Sequence, residues 1–132
     1  MIPKIRAWDT HEDVMNRVDY IDFANGVVSL SNENVKDYEQ PIHRVKFMQY
    51  TGLKDKNGVD VFEGDYLSWI SFESHKEFKG EVVFSKGSFC MVVGLKGHNY
   101  KVPLHELSDS DNLIEVLGNI YENPELLEVP ND

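Results

Sequence analysis

"MQYTGLKDKNGVDVFEGDYL", residues 48–67, decides the fold, because two apolar runs meet there around a turn. The runs are "RVKFMQYTGL" (44–53) and "VDVFEGDYLSWI" (59–70), with "DKNG" (55–58) between them. Charge chooses their register. A two-residue turn at Asn57-Gly58 sets Asp55 opposite Asp60, a like-charge pair that costs roughly a few tenths of a kcal/mol. A three-residue loop, Lys56-Asn57-Gly58, sets Lys54 opposite Asp60 and Leu53 opposite Val61, and this register is expected. Such loops combine a type I turn with a left-handed residue, a conformation glycine takes without a Cβ clash. Asp55 then heads the turn, where its carboxylate can accept backbone hydrogen bonds. Gly58 is expected to tolerate valine less well than Gly97.

The second run contains "EGD" (63–65). A glycine inside an apolar strand marks a bulge, a bend or a close backbone approach. Gly64 is therefore expected to kink the strand before "DYLSWI", with Asp65 bridging backbone amides at the bend. In a small barrel such a kink lets one strand serve both halves of the sheet.

Outward from this centre, short runs rich in Val, Ile, Phe and Tyr recur between turn residues, the pattern of a β-rich domain. "GEVVFS" (80–85) and "SFCMVVGL" (88–95) flank the Lys86-Gly87 turn and are apolar at nearly every position, as strands buried on both faces are. "YKVPLHEL" (100–107) contains Pro103, which cannot donate to a ladder, so it belongs at an edge. "LIEVLGNIYENPELL" (113–127) alternates, and Asn123-Pro124-Glu125 has the order that starts a helix. A short terminal helix is expected there, laying Leu126 and Leu127 on the domain. Toward the N-terminus, "KIRAWD" (4–9) reads as a strand with Ile5, Ala7 and Trp8 inward. Asn25-Gly26 reads as a hairpin turn. "SNENVKDYEQP" (31–41) reads as a polar connector.

The length of 132 residues fits one domain, read as an N-terminal extension (1–44) and a β core with a terminal helix (45–132). Charge is −10 overall and unevenly placed: no Lys or Arg follows Lys101. Phosphate backbones are bound by Lys and Arg, so this balance argues against a nucleic-acid binder. The start has no signal-peptide apolar core, and no run approaches the roughly 20 apolar residues of a membrane helix. A soluble cytoplasmic protein is expected. The single cysteine, Cys90, excludes an internal disulfide and multi-cysteine zinc patterns. The five histidines show no metal-ligand spacing, and no nucleophile elbow or phosphate-cradling glycine loop is present. No catalytic residue, metal or cofactor is expected.

"IRAWD" (5–9), "MQYTGLKDKNGVDVFEGD" (48–65) and "IEVLGNIYENPELL" (114–127) resemble, in order, the YopX family of small proteins encoded by bacteriophages and prophages. Residues 10–43 and 70–112 carry no part of the resemblance. It implies a small SH3-like, partly open antiparallel barrel, mainly β, and life in a bacterial cytoplasm. It implies no activity and no catalytic residues.

The expected function is therefore binding. The partner is expected to be a host or phage protein, and Tyr50, Tyr66 and Trp69 are the candidate surface, since SH3-like barrels use aromatic side chains in recognition. Asp55, Asn57, Gly58, Gly64 and Asp65 are assigned to bending backbone. One alternative is a nucleic-acid-associated module using Arg44, Lys46, Lys54 and Lys56. Another is an acidic decoy that imitates DNA through Glu115, Glu122 and Glu125. Edge pairing near Pro103 leaves homo-oligomerisation open.

Overall fold

A computed structural model describes residues 4–71, 73–108 and 113–128. The chain is mainly β: an SH3-like, partly open antiparallel fold with an N-terminal extension and a short helix near the C-terminus. Its strands are β1 (Ile5–Asp9), β2 (Val14–Asp22), β3 (Val27–Ser31), β4 (Tyr38–Pro41), β5 (Val45–Lys54), β6 (Asp60–Phe62), β7 (Asp65–Ile70), β8 (Glu77–Ser85), β9 (Ser88–Leu95), β10 (His98–Pro103) and β11 (Ile114–Asn119). One α-helix, α1 (Leu104–Ser108), and two 3-10 turns (Ile42–Arg44 and Pro124–Glu128) complete the described elements.

Two folded units divide the chain, Met1–Tyr50 and Thr51–Asp132. The expected extension is thus a unit in its own right, and its boundary falls inside β5 rather than at residue 44. Its strands pair in the order β4-β3-β2-β1-β5. Ala7, Val28, Leu30 and Val45 form its core, with Val18, Ile21 and Phe47 packed against them. Trp8 departs from the expectation: neighbouring residues of a strand point to opposite faces, so buried Ala7 places Trp8 on the other side, half-buried. The polar connector also holds a strand, β4, whose Gln40 pairs with Val28. The hairpin at Asn25-Gly26 closes between Asp22 and Val27, a loop longer than the two residues of a tight turn. Asp22 heads it, accepting the Asn25 N–H at 3.1 Å.

The fully buried carboxylate of this unit is Asp9. One oxygen accepts the N–H groups of His11 (2.8 Å) and Glu12 (3.1 Å), and the other accepts Tyr38 Oη–H (3.0 Å) and Gln40 Nε2–H (3.1 Å). Burial alone would raise its pKa, but these donors outweigh it and the net shift is downward. Burial and the Asp9 charge together push the Tyr38 hydroxyl up to about 12. Asp9 thus ties the β1–β2 turn to β4.

In the second unit the strands order as β10-β9-β8-β7-β11. The core is Val61, Leu67, Val82, Met91, Val93 and Ile114, closed by Leu104 and Leu107 of α1. β8 and β9 are not buried on both faces throughout: Phe84 is 46% exposed where their hairpin ends. β10 lies at an edge, with Pro103 its last residue. The terminal turn is 3-10 rather than α, and of its two leucines Leu126 is half-buried while Leu127 is exposed. Asn123 does not cap forward; its Oδ1 accepts the Asn119 N–H at 3.2 Å.

The central turn is a three-residue loop. Asp55 N–H donates to Val59 O (2.8 Å), Gly58 N–H to Asp55 O (3.0 Å), and Gly58 has φ +79°. Lys54 Nζ lies 2.6 Å from Asp60 Oδ1. Asp55 Oδ1 accepts the N–H groups of Asn57 (2.8 Å) and Val59 (2.9 Å). At "EGD" the run breaks into two strands, β6 and β7, that join different sheets. Gly64 takes φ +88°, and buried Asp65 accepts the Phe62 N–H at 2.7 Å.

The hairpins on either side of β9 turn through Lys86-Gly87 and Lys96-Gly97, with positive φ at all four residues (50°, 84°, 50° and 80°). That is the type I′ geometry, in which asparagine is the favoured first residue and lysine bears a left-handed cost. Lys86→Asn and Lys96→Asn should each stabilise the protein by about 0.5–1 kcal/mol. The gains should add, because the turns lie at opposite ends of β9. Urea unfolding midpoints of the two single variants and the double variant measure this.

Candidate binding surface

The three aromatics singled out in the sequence do not form one surface. Tyr50 belongs to the first unit, half-buried, with Lys4 Nζ 5.2 Å from its ring centroid. Tyr66 and Trp69 share β7, three residues apart, and so project from opposite faces. Tyr66 pairs with Glu81 and is only 4% exposed, and burial raises its hydroxyl pKa. Trp69 pairs with Phe78 on the face that carries Leu67 and the core.

Around Trp69 the sheet assembles a strip. Trp69 and Phe78 stack with centroids 5.5 Å apart and planes at 26°. Leu95 and His98 are directly paired, as are Val93 and Tyr100. Gly80 pairs with Val93, so Phe78, Leu95, His98 and Tyr100 all lie on the Trp69 face. The strip runs from half-buried Trp69, Phe78 and Leu95 to exposed His98 and Tyr100. Tyr100 is 52% exposed, and Lys76 Nζ stands 5.5 Å above Phe78. Trp69 Nε1 is buried and has no hydrogen-bond partner among the described residues. Phe78, His98 and Tyr100 were missed in the sequence, although "GHNYK" carries rings at alternate positions beside a turn.

The other face gathers acid. Burial first, then the Glu63 charge, raises the Glu81 pKa. Burial, with Glu81 and Glu63, also raises that of Tyr121. No third carboxylate or histidine joins them: among the described residues no group of three or more His, Cys, Asp or Glu is placed to hold a metal. His11, His43, His75, His98 and His105 are all exposed, and Cys90 is buried. Among the described residues no helix is long and apolar enough to cross a membrane.

The two charged segments are largely engaged internally. Lys54 pairs with Asp60, and Lys56 Nζ lies 3.5 Å from Glu115 Oε1. Arg44 Nη1 donates to Gln40 Oε1 at 3.4 Å, while Lys46 is exposed. Of the acids, Glu115 is held by Lys56 and Asn57, and Glu122 accepts Asn119 Nδ2–H at 2.8 Å. Glu125 is exposed.

Comparison with known proteins agrees with this architecture. The family model "YopX protein" matches residues 4–128. A crystal structure of protein EF1440 from Enterococcus faecalis is similar at 30% identity and TM-score 0.66, covering 96% of this chain and 99% of that one. The crystal structure of protein yopX from Bacillus subtilis shares the fold at 22% identity and TM-score 0.58, covering 93% of this chain and 96% of that one. No curated protein matches.

Proposed function

The chain belongs to the YopX family of phage and prophage proteins, and on that premise we propose that it is a non-catalytic protein-binding module of the bacterial cytoplasm, acting through the Trp69 strip. The carrying observation is the buried Trp69 Nε1–H without an acceptor among the described residues. An unpaired buried donor costs about 1–3 kcal/mol, a cost that a partner's carbonyl removes once binding turns the indole edge outward and exposes Nε1. The rings beside it supply what binding centres use: rigid apolar area with few rotamers to freeze.

The competing readings draw less support. Two of the four cations in the 44–56 segment are paired with carboxylates, which weakens a phosphate path there. Two of the three acids of the decoy reading are bonded within the protein.

Trp69→Phe tests the proposal, because it keeps an aromatic ring at this position while removing the Nε1 donor and part of the indole's packed area. Its thermal midpoint should stay within a few degrees of wild type or rise. Partner capture from lysate of the infected host should fall roughly tenfold, the worth of about 1.4 kcal/mol. Tyr100→Ala should weaken capture in the same way. Equal capture by wild type and both variants removes the strip from the function.

A further inference from the structure

The five-stranded sheet treats its two edges differently. β11 is stitched along its outer side: Val116 N–H donates to Asp55 Oδ2 at 2.9 Å, and Lys56 N–H donates to Ile114 O at 3.0 Å. β10, the opposite edge, has a partner only on its β9 side among the described residues, and His98–Lys101 are all exposed. The type I′ turn fixes which of its peptide groups are free. In a two-residue hairpin the closing pair, here Leu95 and His98, is hydrogen-bonded, and bonded pairs then alternate. His98, Tyr100 and Val102 therefore bond to β9. The N–H and C=O groups of Asn99 and Lys101 point outward.

Usual edge protection is weak here. Proline sits only at the last position of β10, and the Lys101 side chain is drawn back over the sheet, with Nζ 3.1 Å from Ser85 Oγ. Charge then selects an occupant. Residues 76–101 carry five lysines against two glutamates, in a protein of net charge −10. The open edge lies in the basic part of an acidic molecule.

We infer that β10 is the docking edge for an acidic extended segment of the partner protein, which adds to the sheet as a further strand. Its backbone pairs with Asn99 and Lys101. Side chains on one face pack beside Tyr100 and the Trp69 strip, and acids at alternate positions on the other face lie toward the lysine-rich stretch 76–101. The inference rests on the protein-binding reading above and names the partner's chemistry.

The test is selection of random decapeptides on the full-length protein, followed by affinity measurement against Lys101→Pro and Asn99→Pro. Proline at either position removes an outward N–H and leaves the β9 ladder intact. Thermal midpoints show which of the two variants folds as wild type does. Selected peptides should be enriched in Asp and Glu at alternate positions and should lose at least tenfold affinity for the folded proline variants. The Asn99 and Lys101 amides should become protected from hydrogen exchange in the complex. The inference is overturned by no selected binder, by basic peptides, by equal binding to the proline variants, or by displacement by a 20-nucleotide thymidine oligomer. A dimer in solution that Lys101→Pro dissociates overturns it in favour of a second copy of the chain. If Trp69→Phe weakens partner capture while the proline variants do not, the strip stands and the edge falls.

Discussion

Replacing Gly80 by alanine should destabilise the protein by about 3 kcal/mol or more, at the upper limit of what overpacking a core costs. A Cβ at Gly80 would stand 1.8 Å from Val92 O and 2.8 Å from Val92 C. Those atoms belong to the backbone of β9, so no change of rotamer relieves the contact. The ladder itself has to move, and it moves where Gly80 is paired with Leu67 on one side and Val93 on the other. Both neighbours are core residues, Leu67 fully buried and Val93 4% exposed. Shifting them loses packing on either side of the glycine. Gly97→Ala is the control, since its Cβ would meet nothing within 4 Å and only the left-handed φ of +80° is strained. That change should cost about 1 kcal/mol. Urea midpoints of the two variants decide it: equal losses would mean that β8 and β9 do not approach this closely.

That same comparison shows where sequence reasoning stops. Gly80 opened the apolar run "GEVVFS" and read as its boundary, yet it lies inside β8, which begins at Glu77. The feature that makes it irreplaceable belongs to β9. Gly58, expected to matter more than Gly97, has nearly the same φ and the same open surroundings, so the two valine variants should cost alike. Local electrostatics was legible, because Asp55, Asp60 and Lys54 lie within seven residues of chain and their charges choose between registers. Long-range assembly was not. Asp9 looked like the end of a strand, and nothing near it indicated that Tyr38 and Gln40 would supply its donors. Trp69 was singled out as an aromatic of an SH3-like barrel, but its neighbours Phe78, Leu95 and Tyr100 come from three other strands. Their grouping follows only from pairings that the chain does not spell out. Placing Tyr66 beside Trp69 was a nearer miss, since the alternation of a strand already separates residues three apart.

Asp55→Asn should cost about 2 kcal/mol at neutral pH and Asp55→Ala about 3–4, because the carboxylate holds two separate parts of the second unit together. Oδ1 serves the loop through Asn57 and Val59, while Oδ2 reaches Val116 on β11, and the residue is 5% exposed. An amide keeps one acceptor and turns an NH2 group toward the donors that remain. Either the loop or the β11 contact is then lost, and a buried N–H is stranded. The pH dependence gives a second, independent signature. Burial works to raise the Asp55 pKa, but the N–H groups of Val116, Val59 and Asn57, with Lys56, outweigh it and the net shift is downward. A carboxyl whose folded pKa lies below its unfolded value, about 3.9, stabilises the protein above that value. The contribution is lost as pH falls through the folded pKa. The stability gap between wild type and Asp55→Asn should therefore be widest near pH 7 and narrow steadily below about pH 4. Asp9, shifted the same way, is present in both proteins and cancels from the difference. Urea unfolding at pH 7 and again near pH 3 measures the gap. A gap of constant size would show that shape, and not the charge of the carboxylate, is what Asp55 contributes.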